Sequence, residues 1–372
     1  MRRYDRLCWK TFGVNCTTNV WSPLPRPLWL RRISLSEMIA PRMAELILSH
    51  LSENSVLHSP RAKELQPYMV GPRKRLATCS GISWFLGHHL AVVNLYGGHL
   101  RVYRFHEPAA TNDPPTRVEL LHEVTEGIGH PEDVSVTSDG RFLAITHTKS
   151  DDFGVSIHSV DPATLAVRAP GRMLRRGVAF HGVRFSPDSR HLAFTEVGDP
   201  GYIEVVRVPS GEQACLFVNQ HRPLKPKSVV FSRDGRFAII AWALNVRSHE
   251  LSDLPRGILA AYPFDMATGT IGSEPVAEFH GSGLSIGNVD MCTVLPTRPG
   301  GRYEILAANQ GFDVVSAFEF DADERALDYT GVFLGGLSFP HGLDGSADGR
   351  FVAVTNNGND TISIARVTPR SP

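Results

Sequence analysis

The strongest constraint in this 372-residue sequence is a turn that recurs along the chain. Four segments share an apolar run, a Ser or Thr, an Asp two residues later and a second apolar run. They read "HPEDVSVTSDGRFLAITHT" from His130, "HGVRFSPDSRHLAFTEV" from His181, "KSVVFSRDGRFAIIAWA" from Lys227 and "PHGLDGSADGRFVAVTNN" from Pro340. The turn aspartates are Asp139, Asp188, Asp234 and Asp348. Such a period indicates stacked copies of one supersecondary unit.

Two less regular copies complete the series. The first two turn intervals are 49 and 46 residues, and the third, 114 residues, leaves room for the unit "IGNVDMCTVLPTRPGGRYEILAANQ" from Ile286. A degenerate copy, "ISWFLGHHLAVVNLYG" from Ile82, lacks the Asp-Gly. An Asp-Gly turn between apolar runs predicts a tight β-hairpin, and each unit has two further strand-like runs. We therefore predict an all-β fold, a six-bladed β-propeller with four strands per blade.

The predicted blades lie near residues 79–126, 127–176, 177–224, 225–281, 282–337 and 338–372. The last unit stops after its third strand. An open blade would leave unpaired backbone edges, so the chain is expected to close the ring with a strand from residues 65–78. This gives a propeller domain over residues 56–372.

Residues 1–55 differ in composition from the propeller. The first 32 residues are basic, and their prolines interrupt any regular secondary structure. This composition is compatible with a disordered arm, an organellar transit segment or sequence added by an upstream start codon. Apolar residues at helical spacing predict one amphipathic helix near Pro41 to Ser52, and its apolar face is expected to dock on the main body.

The charge balance narrows the range of partners. Lys plus Arg equals Asp plus Glu, 38 of each, which argues against nucleic acid or an anionic membrane surface as a partner. No apolar run reaches the roughly 18 residues of a membrane span. The five cysteines are scattered without a C-x-x-C pair, as is typical of a reducing compartment, so a cytoplasmic location is expected.

The last unit carries a family resemblance. "PHGLDGSADGRFVAVTNNGNDTISIARV" from Pro340 resembles the YVTN and lactonase-like β-propellers, and "DPATLAV" and "DMATGTI" are similar to their outer turns. The resemblance covers about residues 79 to 370. It implies a hydrolase of the 6-phosphogluconolactonase type, a muconate-cycloisomerase-like enzyme or a propeller without known chemistry. The lactonase members have seven blades, so seven is the alternative count.

Candidate site residues lie on the propeller face where loops from every blade meet. The loops before the innermost strands hold His130, Glu132, His181, Lys227, Ser285, Asn288 and His341. Recurring histidines there either hydrogen-bond the backbone of the neighbouring blade, which is a structural role, or line a binding pocket. His147 and Glu196 stand where other blades have Asn or an apolar residue, and this break in the repeat favours a functional role.

These positions give the expected site. The catalytic candidates are His147, Glu196, His181 and His341. The substrate-binding candidates are His130, Asn94, Asn309 and Asn357, with Arg247 and Arg256 of a long loop as an anion clamp. No cofactor is required, but a divalent metal, Ca²⁺ or Zn²⁺, would find ligands in Glu196 and His147.

The functional expectation follows from the resemblance and these residues. The first hypothesis is a lactonase-like enzyme that hydrolyses or isomerises a small cyclic ester or carboxylate metabolite. The alternative is a non-catalytic propeller that binds a protein or small ligand on its top face.

Overall fold

A computed structural model describes residues 78–107, 117–148, 153–244, 257–296 and 300–367, together with the backbone of a strand at 62–69. These residues belong to one compact unit. The predicted helix near Pro41 to Ser52 lies outside the described residues. No helix among the described residues is long and apolar enough to span a membrane.

The described strands form six antiparallel sheets, so the six-bladed β-propeller is confirmed. Strand β1 (Ala62–Met69) precedes the first blade. Blade 1 contains β2 (Cys79–Phe85), β3 (His89–Asn94), β4 (His99–His106) and β5 (Arg117–Val124). Blade 2 contains β6 (Pro131–Val136), β7 (Phe142–His147), β8 (Gly154–Ser159) and β9 (Arg172–Arg176). Blade 3 contains β10 (Phe180–Phe185), β11 (His191–Glu196), β12 (Tyr202–Arg207) and β13 (Gln213–Val218).

The second half of the ring repeats the pattern. Blade 4 contains β14 (Lys225–Phe231), β15 (Phe237–Ala243), β16 (Gly257–Asp265), the short β17 (Thr270–Ile271) and β18 (Ala277–Gly281). Blade 5 contains β19 (Val289–Val294), β20 (Arg302–Asn309), a 3₁₀ turn (Gln310–Phe312), β21 (Val314–Asp321) and β22 (Ala326–Leu334). Blade 6 contains β23 (Pro340–Gly345), β24 (Phe351–Asn356) and β25 (Thr361–Val367).

Strand β1 supplies the fourth strand of blade 6. It pairs antiparallel with β25, from Ala62 opposite Val367 to Met69 opposite Thr361. The strand begins three residues before the segment 65–78 in which the sequence placed it. The first and last parts of the propeller thereby share one sheet, which removes the open edge of the last blade.

The recurring turn has one geometry in four blades. In blade 6 Asp348 accepts hydrogen bonds from the Ser346 hydroxyl at 2.6 Å and the Arg350 amide at 3.0 Å. Gly349 has φ near 70°, a left-handed conformation that favours glycine. The same two bonds are made by Asp139, Asp188 and Asp234. The repeated Asp is therefore a structural residue of the hairpin.

Neighbouring blades are joined by apolar packing and by threonines. Phe237 of blade 4 packs against Tyr303 and Phe320 of blade 5, with ring centroids 5.4 and 4.9 Å apart. Near the channel, the Thr146 hydroxyl donates to the carbonyl of His181 in the next blade at 2.6 Å. Thr195 bonds the Lys227 carbonyl in the same way. These contacts fix the backbone at the start of each innermost strand.

Candidate metal centre

A ring of six side-chain positions, one per blade, occupies the start of the innermost strands. In five blades each position follows the residue that pairs with the last residue of the second strand, as Phe180 pairs with Glu196 in blade 3. In blade 4 the second strand extends one residue further at this end, and Lys227 follows Pro226, which pairs with Trp242. In blade order these residues, called the channel ring below, are Ser80, Glu132, His181, Lys227, Asp290 and His341. The innermost strands contact one another in sequence around the centre, so the six residues belong to one closed ring.

Four members of the channel ring form a compact buried group. One ligand atom from each of Glu132, His181, Asp290 and His341 lies within 4.8 Å of all the others. Carboxylates and imidazoles alternate around the group. His181 Nε2 lies 3.6 Å from Glu132 Oε1 and 3.1 Å from Asp290 Oδ1. His341 Nε2 lies 3.0 Å from Glu132 Oε1 and 2.7 Å from Asp290 Oδ2.

The second ring nitrogens of the two histidines differ in their contacts. His181 Nδ1 donates to the Lys227 carbonyl at 2.9 Å, which turns Nε2 toward the two carboxylates. A backbone carbonyl on the second ring nitrogen is the usual arrangement of metal-binding histidines. Among the described residues, His341 Nδ1 is buried without a hydrogen-bond partner. The second oxygen of Glu132 accepts from the Thr148 hydroxyl at 3.1 Å.

The group is electrostatically coupled. Burial alone would raise the pKa of Asp290, but the two histidines outweigh it and hold that pKa well below its ordinary value. The pKa of Glu132 is lowered as well, because the hydrogen bond and charge of His341 outweigh burial. Burial would lower the pKa of His341, but Asp290 and then Glu132 raise it to about 10. Without a metal, protonated His341 therefore balances part of the charge of the two carboxylates.

The same four residues could hold a metal ion. Imidazole nitrogens and carboxylate oxygens are both ligands of Zn²⁺, with bonds of about 2.0–2.2 Å and therefore ligand atoms roughly 3.4 Å apart in a tetrahedron. The four neighbouring distances around the group run from 2.7 to 3.6 Å. The ligand atoms lie within 4.8 Å of one another, so those on opposite sides of the group would have to move closer together to form a tetrahedral coordination sphere.

Further polar side chains lie on the same innermost strands, close in sequence to the ring residues. Arg184 forms an ion pair of 3.3 Å with Asp344, which also accepts from the Thr293 hydroxyl at 3.2 Å. Asp133 accepts from the Val183 amide at 2.9 Å, and its pKa is raised by burial to about 6. Asp133 Oδ1 and Arg184 Nε are buried without a hydrogen-bond partner among the described residues.

The structure separates the four catalytic candidates of the sequence. It brings His181 and His341 into the buried group but places His147 and Glu196 at the ends of the second strands, outside it. His147 Nδ1 donates to the Gly129 carbonyl at 2.8 Å, and its Nε2 lies 2.8 Å from the Ser156 hydroxyl. Glu196 accepts from the Gly198 amide at 2.5 Å, and burial raises its pKa.

The remaining candidates also lie apart from the buried group. Asn94 and Asn309 are buried and bond the loops around them, Asn94 to the Thr78 and Gly97 amides and Asn309 to the Gly283 carbonyl. His130 is half-buried beside the ring of Tyr96, and Asn357 is half-buried. Arg247 and Arg256 lie outside the described residues. The metal interpretation therefore moves from Glu196 and His147 to the channel ring.

A simple signal in the sequence would have found most of the ring. Glu132, His181, Lys227 and His341 each lie seven residues before the turn aspartate of their blade. Aligning the two segments on their histidines equates His130 with His181. The strand register instead makes Glu132 the equivalent of His181. Asp290 was missed because blade 5 has no Asp-Gly turn from which to count.

Comparisons with known proteins support the fold. No protein-family profile and no curated protein match the sequence. Among solved structures, Kuenenia stuttgartiensis hydrazine synthase is similar over 81% of this chain and 80% of its own, with a TM-score of 0.52 and 16% identity. An auxiliary nutrient-binding protein from Bacteroides thetaiotaomicron is similar over 82% and 76%, with a TM-score of 0.56 and 12% identity. The chain is thus a six-bladed β-propeller, and its structural neighbours include an enzyme and a binding protein.

Proposed function

We propose that this propeller is a metal-dependent, lactonase-like enzyme that hydrolyses or isomerises a small cyclic ester or carboxylate metabolite at the channel ring. The observation that carries the proposal is the buried group of Glu132, His181, Asp290 and His341, drawn from four blades and gathered within 4.8 Å. Alternating carboxylates and imidazoles at this spacing match a divalent metal better than any arrangement that the sequence alone suggested.

The donor set favours a transition metal over Ca²⁺. Calcium takes six to eight oxygen ligands, whereas imidazole nitrogen suits Zn²⁺ and its neighbours in the first transition row. His181 is already oriented for ligation by the Lys227 carbonyl. A bound ion of this kind polarises an ester carbonyl and lowers the pKa of a coordinated water, which is the chemistry needed to open a lactone.

The chain's own residues have separable roles in this proposal. Glu132 and Asp290 balance the charge of the ion, and the two histidines fix its position in the channel. Thr148 holds the second oxygen of Glu132, so this carboxylate presents a defined oxygen to the centre. The hydrogen bonds of Thr146 and Thr195 to neighbouring blades keep the backbone of the ring rigid.

The test combines metal analysis with a lactone panel followed by proton release. The wild-type protein is expected to bind about one Zn²⁺ per chain and to turn over at least one lactone. Asp290→Asn and His341→Gln should weaken Zn²⁺ binding at least tenfold and lower turnover in parallel. His158→Gln, which replaces a buried histidine outside the ring, is the matched control and should change neither property.

A further arm tests the residues that the sequence favoured. In the proposed enzyme, a His147→Gln, Glu196→Gln double variant retains its metal, because neither residue belongs to the buried group. Loss of turnover at full metal content would assign these two residues to the chemistry. Absence of both metal and turnover in the wild-type protein would overturn the metal-dependent enzyme.

The second candidate is a non-catalytic propeller that binds a ligand or protein on its top face. It is favoured by the burial of all four potential ligands, whose exposed fractions are between 2 and 7%. Structural metal sites are closed, whereas catalytic ones keep a coordination position open. A protein that binds Zn²⁺ tightly but is inactive on every lactone would support this candidate.

A further inference from the structure

Lys227 is the charged member of the channel ring that does not belong to the group of four potential metal ligands. It lies in blade 4, between His181 of blade 3 and Asp290 of blade 5. Its Nζ is 3.9 Å from Asp290 Oδ1, which is within ion-pair range but beyond hydrogen-bond distance. An ammonium has three donors, so Lys227 retains donors that this contact does not use.

The backbone of Lys227 is fixed more firmly than its ammonium. Its carbonyl accepts from His181 Nδ1 at 2.9 Å and from the Thr195 hydroxyl at 3.3 Å. Its side chain is 9% exposed, so it is largely withdrawn from bulk solvent. A buried cation attracts an anion more strongly than a solvated one, because the local dielectric constant is lower.

The net charge of the ring also favours an anionic ligand. Glu132 and Asp290 are its two anionic residues and Lys227 is its lysine, while metal-ligating histidines are neutral. Once a divalent ion is bound, the six ring residues and the ion together carry one excess positive charge. A ligand with a single negative charge would neutralise it.

We propose that Lys227 is the anion-binding residue of this site and that the ligand it receives carries a carboxylate beside the metal. The inference rests on the proposed metal-dependent function and names its substrate class, a cyclic ester or related metabolite with one carboxylate group. Lys227 acts as a point charge at the edge of the metal centre. The substrate would lie with its carboxylate toward blade 4 and its reacting group toward the metal ligands.

The experiment uses acetate as the probe and Co²⁺ as the metal, because the visible spectrum of Co²⁺ reports ligands that bind at or near it. The full-length protein is loaded with Co²⁺ and titrated with acetate at constant ionic strength. The variants are Lys227→Met, which removes the charge at similar length, and Lys227→Arg, which keeps it. Lys225→Met is the matched control, because Lys225 lies on the same strand but pairs with Asp199 at 3.2 Å, outside the ring.

The expected results separate this inference from the proposed function. Lys227→Met should bind Co²⁺ at least as tightly as the wild type, because it loses a cation beside a ligand, and should bind acetate at least tenfold more weakly. Lys227→Arg should retain most of the acetate affinity and Lys225→Met all of it. Acetate binding by Lys227→Met at the wild-type level, with Co²⁺ bound, would overturn the role of Lys227 alone. A wild-type protein that binds neither Co²⁺ nor Zn²⁺ would overturn both proposals.

If Lys227→Met fails to fold, the arginine variant decides the question together with a pair of substrates. Lys227→Arg and wild type should both prefer a lactone that bears a carboxylate over the neutral lactone of the same ring size. Equal kcat/KM for the two lactones in the wild-type enzyme would contradict the proposed substrate class.

Discussion

The buried histidines of the channel ring and those of blade 2 differ in their partners, and the pKa values of His341 and His158 are shifted in opposite directions although burial alone would lower both. His181 and His341 stand in the channel ring opposite two carboxylates, and the pKa of His341 is raised to about 10 although burial alone would lower it. His147 and His158 lie within blade 2 on either side of Ser156, with Nε2 to Oγ distances of 2.8 and 3.0 Å. Burial lowers the pKa of His158 to about 4. Partners, rather than burial alone, therefore decide the direction of the pKa shift in His341 and His158.

The contacts of the two pairs distinguish a candidate binding site from a set of structural hydrogen bonds. In blade 2 both Nδ1 atoms face backbone carbonyls, those of Gly129 and Arg168, and a serine joins the two rings. Such bonds hold loops and require no charge. In the channel ring two anions and two imidazoles are confined together, an arrangement that gains by exchanging protons for a metal ion.

The largest expected effect is the loss of one carboxylate from the channel ring. Asp290→Ala should destabilise the metal-free protein by about 3–5 kcal/mol, because it removes one of the two anionic partners of a buried cation. Urea unfolding in the presence of a chelator measures this free energy. Asp188→Ala, in an exposed turn, should cost only about 1 kcal/mol. Equal losses in the two variants would show that the channel ring is not ionised.

The next effect is an alkaline loss of stability that depends on His341. Since its pKa is raised from 6.5 to about 10 in the folded protein, its contribution is fully present below pH 6.5 and is lost as the pH rises toward 10. The metal-free protein should lose stability over this window with a slope of at most about 1.4 kcal/mol per pH unit. His341→Gln should remove this slope and His158→Gln should keep it. An unchanged slope in His341→Gln would contradict the assignment.

The pair in blade 2 should show the opposite pH dependence. The pKa of His158 is lowered from 6.5 to about 4. Between these pH values the unfolded chain binds a proton that the folded protein does not bind, so stability falls as the pH drops through this range. The loss is at most about 3 kcal/mol. The difference in unfolding free energy between wild type and His158→Gln, measured from pH 7 to 4, isolates this contribution. A flat difference would indicate that His158 binds its proton as readily in the folded protein as in the unfolded chain, and would contradict the lowered pKa.

Local features of the fold could be predicted from the sequence, whereas the site depends on ring closure. The Asp348-Gly349 turn is encoded in a few adjacent residues, and the six blades follow from its repetition. His341 and Glu132, by contrast, meet across 209 residues of chain, and only the closed ring brings them together. Asp290 carries no local signal, since its blade replaces the Asp-Gly turn by another.

The sequence also favoured residues that break the repeat, and His147 shows the limit of that rule. Its equivalents in blades 5 and 6 are Asn309 and Asn356, which donate to Ser316 and Ser363. Ser156 occupies the same position in blade 2, two residues along the paired strand. A change of residue type can therefore preserve the same structural contact, and the absence of Asn at 147 does not by itself indicate chemistry.

The smallest expected effect follows from this equivalence. His147→Asn installs in blade 2 the Asn and Ser pair of blades 5 and 6, so the unfolding free energy should change by no more than about 1 kcal/mol. Zn²⁺ affinity and lactone turnover should stay at the wild-type level, because the substituted side chain lies outside the channel ring. Urea unfolding, metal titration and the lactone panel measure the three quantities on one preparation. A variant that keeps its stability and metal but loses turnover would instead place His147 in the active site. The histidine pair of blade 2 could then no longer be described as purely structural.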